Sequence, residues 1–282
     1  MPDVNDEWTD VQLNPAAQAQ VEEMLSEANS EAPKAKPLIP LPPDGSVRLS
    51  GGSREEERPV KEAQVAELTG ADEERLSKAS GNSTRWFNTL LRCGTVELDG
   101  REATDERLET LLVGDRETLA LGIRAATYGA EVELGEITCP GCGEDFEAVI
   151  NLETDIPNRE MKGDPTFEVK LRKGGVAYVR LPNGADQTAY TEDGDLTDAE
   201  RNSLLLSRCV ETLPGDLGDQ MPVAGFPSLV RSLGIVDRRK ILSEIDSRMP
   251  GPRYDEVEIE HSECGTKIPV PPLGLVPLFP GL

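Results

Sequence analysis

The chain has 282 residues with 53 acidic and 29 basic side chains, so its formal charge is −24 at neutral pH. Nucleic-acid phosphates are bound by clustered Lys and Arg and repelled by carboxylates, so this charge argues against a general nucleic-acid-binding protein. Only 37% of the residues are hydrophobic and 4% are aromatic, while 26 are Gly and 22 are Pro. That composition favours one or two domains with many turns and extended stretches over a single compact enzyme.

Membrane and disulfide signals are both weak. No apolar run reaches the roughly 18 residues of a membrane span, and the N-terminal sequence MPDVNDEWTD lacks the basic and apolar regions of a signal peptide. We therefore expect a soluble protein that stays in the compartment where it is made. Five cysteines are an odd number for a disulfide framework, which favours thiols or metal ligands.

Residues 1–58 are predicted to form a flexible acidic arm. They contain twelve acidic and five basic side chains, and such a segment buries too little apolar surface to offset its chain entropy. Apolar residues recur at helical spacing between Pro15 and Glu31, which predicts a short amphipathic helix that needs a partner surface. A Pro-rich linker follows. Composition leaves open whether the arm stays disordered or docks on a partner.

Residues 59–130 are predicted to form a small helical subdomain. Thr69 and Asp72 resemble a capping box, and Ser83 opens a helical pattern that Gly94 closes. The sequence TVELDGREA then predicts a short hairpin. Two further helical patterns, DERLETLLVG and DRETLALGIRAATYG, end at Gly129, which occupies a C-cap position.

Residues 131–271 are predicted to form a zinc-ribbon-like β domain. Alternating apolar residues flank CPGCG and, further along, HSECG, so each motif is expected to join two strands. Between them, an insertion at about 160–250 carries a hairpin with a tight two-residue turn at Gly174 and Gly175. The insertion continues with a helix that opens at the capping box of Thr197 and Glu200, and with two more helical patterns. An apolar Pro-rich arm, residues 272–282, ends the chain.

The two motifs carry the strongest functional signal. Cys139 and Cys142 form one pair, and His261 and Cys264 form the other, each spaced by two residues and followed by Gly. A tight turn at that Gly lets backbone amides point at the ligand atoms. Three thiolates and one imidazole in this pattern predict a single structural Zn²⁺. His261 is also the only histidine of the chain.

The separation of the two pairs is unusual for a zinc ribbon. There are 118 residues between Cys142 and His261, whereas a compact ribbon has about 15 to 20. The longer loop adds only about 1.7 kcal/mol of closure entropy, and structural zinc contributes about 10 kcal/mol or more. The zinc site is therefore favoured over the alternative of buried free thiols with an incidental surface histidine.

No catalytic residue is predicted. His261 and Glu263 spell the H-x-E of zinc deaminases, but the motif order is reversed and a fourth protein ligand leaves no open position for water. The sequence contains no P-loop, G-x-S-x-G or G-x-G-x-x-G motif, and the one histidine leaves no base for a nucleophile. Cys93 and Cys209 lie on apolar helix faces and are expected to be core residues.

The order of features between about residues 38 and 152 resembles the baseplate family of contractile-tailed bacteriophages, described as baseplate hub subunits or hub assembly chaperones. A Leu-Pro-rich arm precedes a Gly-Asp helix that ends in Tyr-Gly, and a C-P-x-C-G knuckle follows. The matching residues are Leu41, Pro42, Gly114, Asp115, Arg124, Tyr128, Gly129, Cys139, Pro140, Cys142 and Gly143.

The resemblance implies a non-enzymatic structural or assembly protein of the virion tail, assembled in the host cytoplasm. Its partners would be other tail or baseplate proteins (hub, tube or spike) in a multimeric assembly, without nucleic acid. The expected fold class is α+β. Two alternatives remain open from the residues: a zinc-ribbon regulator of the transcription machinery, and a zinc hydrolase or deaminase. The arms are expected to bind the partners, the C-terminal one through Leu273, Leu275, Val276, Leu278 and Phe279.

Overall fold

A computed structural model describes residues 45–55, 58–192, 196–215, 219–224, 226–270 and 278–279. Helices and sheets are mixed throughout these residues, which confirms the predicted α+β class. The predicted helix between Pro15 and Glu31 and the Leu-Pro motif at Leu41 and Pro42 lie outside the described residues, as does most of the Pro-rich C-terminal segment.

Eight helices lie in the described part of the chain. They are α1 (Gly70–Ala79), α2 (Ser83–Gly94), α3 (Asp105–Thr110), α4 (Val113–Tyr128), α5 (Gly184–Glu192), α6 (Asp198–Cys209), α7 (Ser228–Ser232) and α8 (Ile235–Arg248). The strands in the first half are β1 (Gly45–Arg48), β2 (Arg54–Glu55), β3 (Arg58–Pro59), β4 (Glu62–Val65), β5 (Thr95–Leu98), β6 (Arg101–Glu102), β7 (Glu131–Thr138) and β8 (Asp145–Asn151). Those in the second half are β9 (Asn158–Arg159), β10 (Thr166–Lys170), β11 (Val176–Arg180), β12 (Val210–Pro214), β13 (Gln220–Pro222), β14 (Gly251–Pro252), β15 (Glu258–Glu260) and β16 (Lys267–Pro269).

The first core lies between an antiparallel sheet, in the order β1-β4-β5-β6, and helices α1 to α4. Local signals define the helices: the capping box of Thr69 and Asp72 is formed, Asn82 caps α2, and Gly129 ends α4 with φ +85°. Side chains from the later hairpins also pack in this core, so the core holds those hairpins in place. Its fully buried members include Leu76, Leu90, Leu91, Leu98, Leu111, Leu119, Ile123 and Ile150.

Two predictions for this half are wrong. Residues 59–130 are not a helical subdomain on their own, because the predicted hairpin, β5 and β6, forms one sheet with β4 and with β1 from outside this segment. The arm also does not extend to residue 58, since β1 pairs with β4 and Leu49 is buried in the core. The prediction used the average composition of residues 1–58, which is acidic. It therefore overlooked the short strand β1 near the end of this segment, where more and less exposed side chains alternate. Ser50 anchors that strand by donating from its backbone N–H and hydroxyl to the buried Asp115 carboxylate, at 2.7 and 2.8 Å.

The second core lies between the antiparallel sheet β10-β11-β12-β13 and helices α6 to α8. The capping box of Thr197 and Glu200 is formed. The hairpin turn differs from the prediction, because Leu171 pairs with Gly175 and leaves a three-residue loop. Both Gly174 and Gly175 have positive φ, as in a turn closed by a glycine bulge. The fully buried core members include Ala177, Val179, Leu206, Cys209, Val223, Val230 and Ile241.

A short ladder joins the two ends of the segment that contains the second core. Asn158 and Arg159 in β9 pair with Pro252 and Gly251 in β14. At the same place, Gly114 in the first turn of α4 contacts the backbone of Pro250 and Gly251 so closely that a Cβ at Gly114 would overlap the Pro250 carbonyl oxygen. Only glycine allows this approach.

The C-terminal residues Leu278 and Phe279 are each 1% exposed and belong to the first core. The Phe279 ring meets Trp86 edge-on at 5.7 Å between centroids and Tyr128 at 6.4 Å. The prediction that these two residues dock on a partner is therefore wrong: they fill a groove of their own chain. An apolar sequence pattern alone does not distinguish a segment that binds a partner from one that packs in the core of its own chain.

Replacing Gly114 by alanine is expected to lower the free energy of unfolding by about 2 kcal/mol or more, because the backbone at Pro250 must move to admit the methyl group. Urea unfolding followed by circular dichroism measures this change. Gly81→Ala is the matched control, since no atom lies within 4 Å of the position that its methyl group would take. Equal midpoints for the two variants would contradict the predicted steric role.

Phe279→Ala is expected to destabilise the chain by about 3 to 5 kcal/mol, as for other buried aromatic side chains. Phe226→Ala, at a ring that is 59% exposed, is the control and should change stability little. Thermal unfolding of the two variants compares them directly. Similar melting temperatures would show that Phe279 does not contribute to the core.

Candidate metal centre

Four potential ligand atoms meet where the two hairpins approach each other. Cys139 and Cys142 lie in the turn between β7 and β8, and His261 and Cys264 lie in the turn between β15 and β16. The ligand atoms of these four residues all lie within 4.8 Å of one another. The structure thus brings together all four residues that the sequence predicted as ligands. It leaves out Cys93 in α2 and Cys209 in α6, as expected.

The two turns share one backbone geometry. In the first, Cys139 N–H donates to Glu144 O at 2.8 Å, and Gly143 N–H donates back to Cys139 O at 2.8 Å. In the second, His261 N–H donates to Thr266 O at 2.9 Å, and Gly265 N–H donates to His261 O at 2.8 Å. Gly143 and Gly265 have φ of +78° and +68°, the left-handed conformation that closes each turn. The histidine therefore stands in the position that a cysteine holds in the other turn.

The separations between ligand atoms suit a tetrahedral ion. The sulfurs of Cys139 and Cys264 are 3.5 Å apart, and His261 Nδ1 lies 3.4 Å from Cys142 Sγ and 3.2 Å from Cys264 Sγ. Bond lengths of about 2.3 Å to sulfur and about 2.0 Å to nitrogen give edges of about 3.5 to 3.8 Å in a tetrahedron. These three separations are close to the edges of such a tetrahedron, and all six lie within 4.8 Å, so the residues present fit a metal ion.

The thiols have hydrogen bonds that suit thiolates. Desolvation raises the pKa of the Cys139 thiol, but backbone N–H groups of Cys142 and Gly141 outweigh it, so the pKa is lowered. The hydroxyl and backbone N–H of Thr266 lower the pKa of Cys264. At Cys142, a bond from the Glu144 N–H lowers the pKa, but desolvation and the neighbouring sulfurs raise it to about 11. Three negative charges do not collect here without a cation to offset them.

Contacts between the two turns complete the site. His261 is 3% exposed, and its ring stacks on Phe146 of β8 at 4.5 Å between centroids. Gly141 lies directly against Thr266, and a Cβ at Gly141 would overlap the threonine hydroxyl. Neither contact is predicted from the sequence. The alternation in β8 marks Phe146 only as an apolar residue, and the glycine between the two cysteines was the one available sign of a close approach.

The first hairpin is held at the end of α4. Arg124 donates to the carbonyl oxygens of Gly129, at 2.7 Å, and Glu131, at 3.3 Å. Its guanidinium lies 4.9 Å from the centre of the Tyr128 ring. These contacts fix the direction in which β7 leaves the helix. The hairpin therefore starts from a rigid base.

The second hairpin is held by the first core. Val257 and Val270 flank its two strands and are 1% and 7% exposed. Val270 N–H donates to Val257 O at 3.0 Å, which extends the ladder of β15 and β16 by one bond. Both turns are thereby supported from the same core.

Cys209 is buried, whereas Cys93 is half-buried. Burial, together with the charge of Asp72, raises the pKa of Cys93 to about 11. Burial raises the pKa of Cys209 to about 12. Both side chains therefore stay protonated at neutral pH.

Comparisons with known proteins give the family. No helix in the described residues is both long and apolar enough to cross a membrane. Searches of curated proteins and of solved structures find no match to the chain. The family described as T4 bacteriophage base plate protein matches residues 60–279, which include both turns, the second core and all of the first core except Leu49. The match covers more than half of the chain, and the chain therefore belongs to the T4 bacteriophage base plate protein family.

Proposed function

We propose that the chain is a non-enzymatic structural or assembly protein of the phage tail baseplate, either a hub subunit or a hub assembly chaperone. A single structural Zn²⁺ bound by Cys139, Cys142, His261 and Cys264 stabilises it. The observation that carries the zinc site is the matched pair of turns, which places two donor atoms from each hairpin within 4.8 Å of the others. Family membership supports the location in the tail.

Zinc is the ion that best suits this set of donors. Thiolates and imidazole favour Zn²⁺ over the hard cations Mg²⁺ and Ca²⁺, which bind oxygen. With three thiolates and a neutral imidazole, the centre has a net charge of −1. Four protein ligands fill the tetrahedron and leave no position for a catalytic water, so the role is structural. This is also the reason to propose a protein without enzymatic activity.

The proposed ion would stabilise a hairpin that is too small to be stable alone. Strands β15 and β16 have three residues each and pair only with one another among the described strands. A two-stranded hairpin of this size is marginal in water. Bound Zn²⁺ would link it to the longer hairpin β7–β8 and so connect the chain on both sides of the proposed insertion at 160–250.

The proposed partners are other tail or baseplate proteins such as hub, tube or spike subunits, joined in a multimeric assembly in the host cytoplasm. Three apolar side chains on and beside α7 and α8 support a protein-binding role, namely Phe226, Ile235 and Val236, at 59%, 69% and 56% exposure. The N-terminal residues 1–44 remain a proposed partner-binding arm. The overall charge of −24 supports the absence of nucleic acid.

The purified protein is expected to contain about one zinc ion per chain, measured by atomic emission. The double variant Cys139→Ser with Cys264→Ser should lose the ion and melt at a lower temperature, because one thiolate is removed from each turn. Cys93→Ser, outside the cluster, is the matched control and should keep the zinc. Wild-type protein that unfolds at the same temperature before and after chelation would rule out a stabilising metal.

A hub subunit and an assembly chaperone differ in where the mature protein is found. A hub subunit stays in purified phage particles and is detected there by mass spectrometry in a fixed ratio to tail-tube protein. A chaperone is present in infected-cell lysate but absent from particles. If the protein copurifies with neither particles nor tail intermediates, the proposed role in the baseplate is wrong.

A further inference from the structure

A basic cleft lies on this strongly acidic chain, and none of its lining residues belongs to the cysteine cluster. Helices α2 and α3 form its walls, and Arg75, Arg85, Arg92 and Arg116 line it. Two carboxylates, those of Asp105 and Glu109, share the lining, which gives the lining itself a formal charge of +2. Asp72 and Glu102 lie beside the lining and pair with Arg75 and Arg92, each at 3.3 Å. The cleft volume of about 620 Å³ is large enough for several side chains of a bound peptide.

Arg116 forms the floor of the basic cleft. It is 1% exposed, and it donates from Nε to Gln187 Oε1 at 3.0 Å, from Nη1 to Leu108 O at 2.8 Å, and from Nη2 to Asn88 Oδ1. All three acceptors are neutral. Within the described residues, no carboxylate lies within 4.0 Å of this guanidinium. The buried positive charge of Arg116 is thus held in a fixed position without a direct ion pair: the Phe87 ring centre lies 5.3 Å from the guanidinium carbon, and the Glu109 carboxylate in the same lining acts on it from a greater distance than an ion pair. A ligand carboxylate that reached the guanidinium would compensate the cost of burying this charge.

The rim offers a second charge that the fold does not use. Arg85 lies exposed in the first turn of α2, and its guanidinium forms no ion pair with the described residues. Arg92 is within 3.3 Å of Glu102 and 3.5 Å of Asp105, but these are exposed pairs that exchange readily with a competing carboxylate. A ligand with two or more carboxylates could therefore face arginines at the rim and at the floor of the basic cleft.

We propose that the basic cleft binds an acidic peptide segment of a partner protein, with its carboxylates paired to Arg85 at the rim and directed towards Arg116 at the floor. The planar guanidinium group forms paired hydrogen bonds with carboxylates, which gives such a contact both strength and orientation. This binding site requires neither the proposed zinc ion nor a particular place in the baseplate.

A protein segment suits the cleft better than nucleic acid does. Electrostatic interactions in solution are screened beyond about 8 Å at physiological salt, so a short peptide in the cleft experiences mainly the local positive charge. A duplex extends well past the cleft, and there it meets a chain whose formal charge is −24.

Fluorescence anisotropy of the full chain with a short fluorescein-labelled peptide of Glu, Asp and Gly tests the proposal. The acidic peptide should bind, and the counterpart with Gln and Asn should not. Arg85→Glu should weaken binding by about tenfold, equivalent to about 1.4 kcal/mol. Arg85→Lys keeps the positive charge but not the paired hydrogen bonds, so it should weaken binding less than Arg85→Glu does. Arg239→Glu, an exposed arginine of α8 outside the cleft, makes the same change in net charge and should alter binding by less than about twofold.

Four outcomes would overturn the proposal. These are no binding of the acidic peptide, equal weakening by Arg85→Glu and Arg239→Glu, displacement of the peptide by an equal concentration of inorganic phosphate, and tighter binding of a DNA duplex than of the peptide. The thermal unfolding of both glutamate variants should match that of the wild type, because both side chains are exposed. The zinc content of the variants should also be unchanged, which separates a failure of this proposal from a failure of the zinc site.

Discussion

The arrangement of this chain depends on bringing together two turns that lie 118 residues apart. The decisive contact is the backbone approach of Gly114 to Pro250 and Gly251, next to the ladder of β9 and β14. Because the chain leaves the first hairpin through β9 and returns to the second through β14, this contact closes the long loop before the turns meet. The entropy cost of closure is then shared with the fold and does not fall on the four ligand residues alone.

Two small cores replace one large one, which accounts for the low hydrophobic content. The junction between them is largely polar: Arg116 and Asn88 from the first half contact Gln187 and Thr188 from the second. Leu112 also pairs with Asn183 through an isolated bridge. Polar contacts with good geometry define one orientation of the two halves without requiring a large apolar surface. Arg116, which helps to form the junction, is also the floor of the basic cleft.

The sequence predicts those features that local chemistry defines. Capping boxes, glycine turns and alternating strands placed the helices and hairpins well, and the ligand spacing selected four residues that the structure brings together. Features that depend on distant partners were missed or misread. Residues 45–48 form strand β1 only because they pair with β4. Phe279 is a core residue only because it packs beside Trp86. Neither partner can be read from the local sequence pattern. The average composition of residues 1–58 instead predicted a flexible arm.

The residues that carry the family resemblance follow one structural route from the crossing point to the metal site. Gly114 allows the approach of Pro250, and Asp115 next to it fixes Ser50. Further along α4, Arg124 binds the carbonyl oxygen of Gly129 at the helix end and directs β7 towards Cys139. Each step sets the starting position of the next, so the order of these residues is informative where single motifs are not. A zinc knuckle alone occurs in many folds, but a knuckle oriented by this helix requires the residues before it.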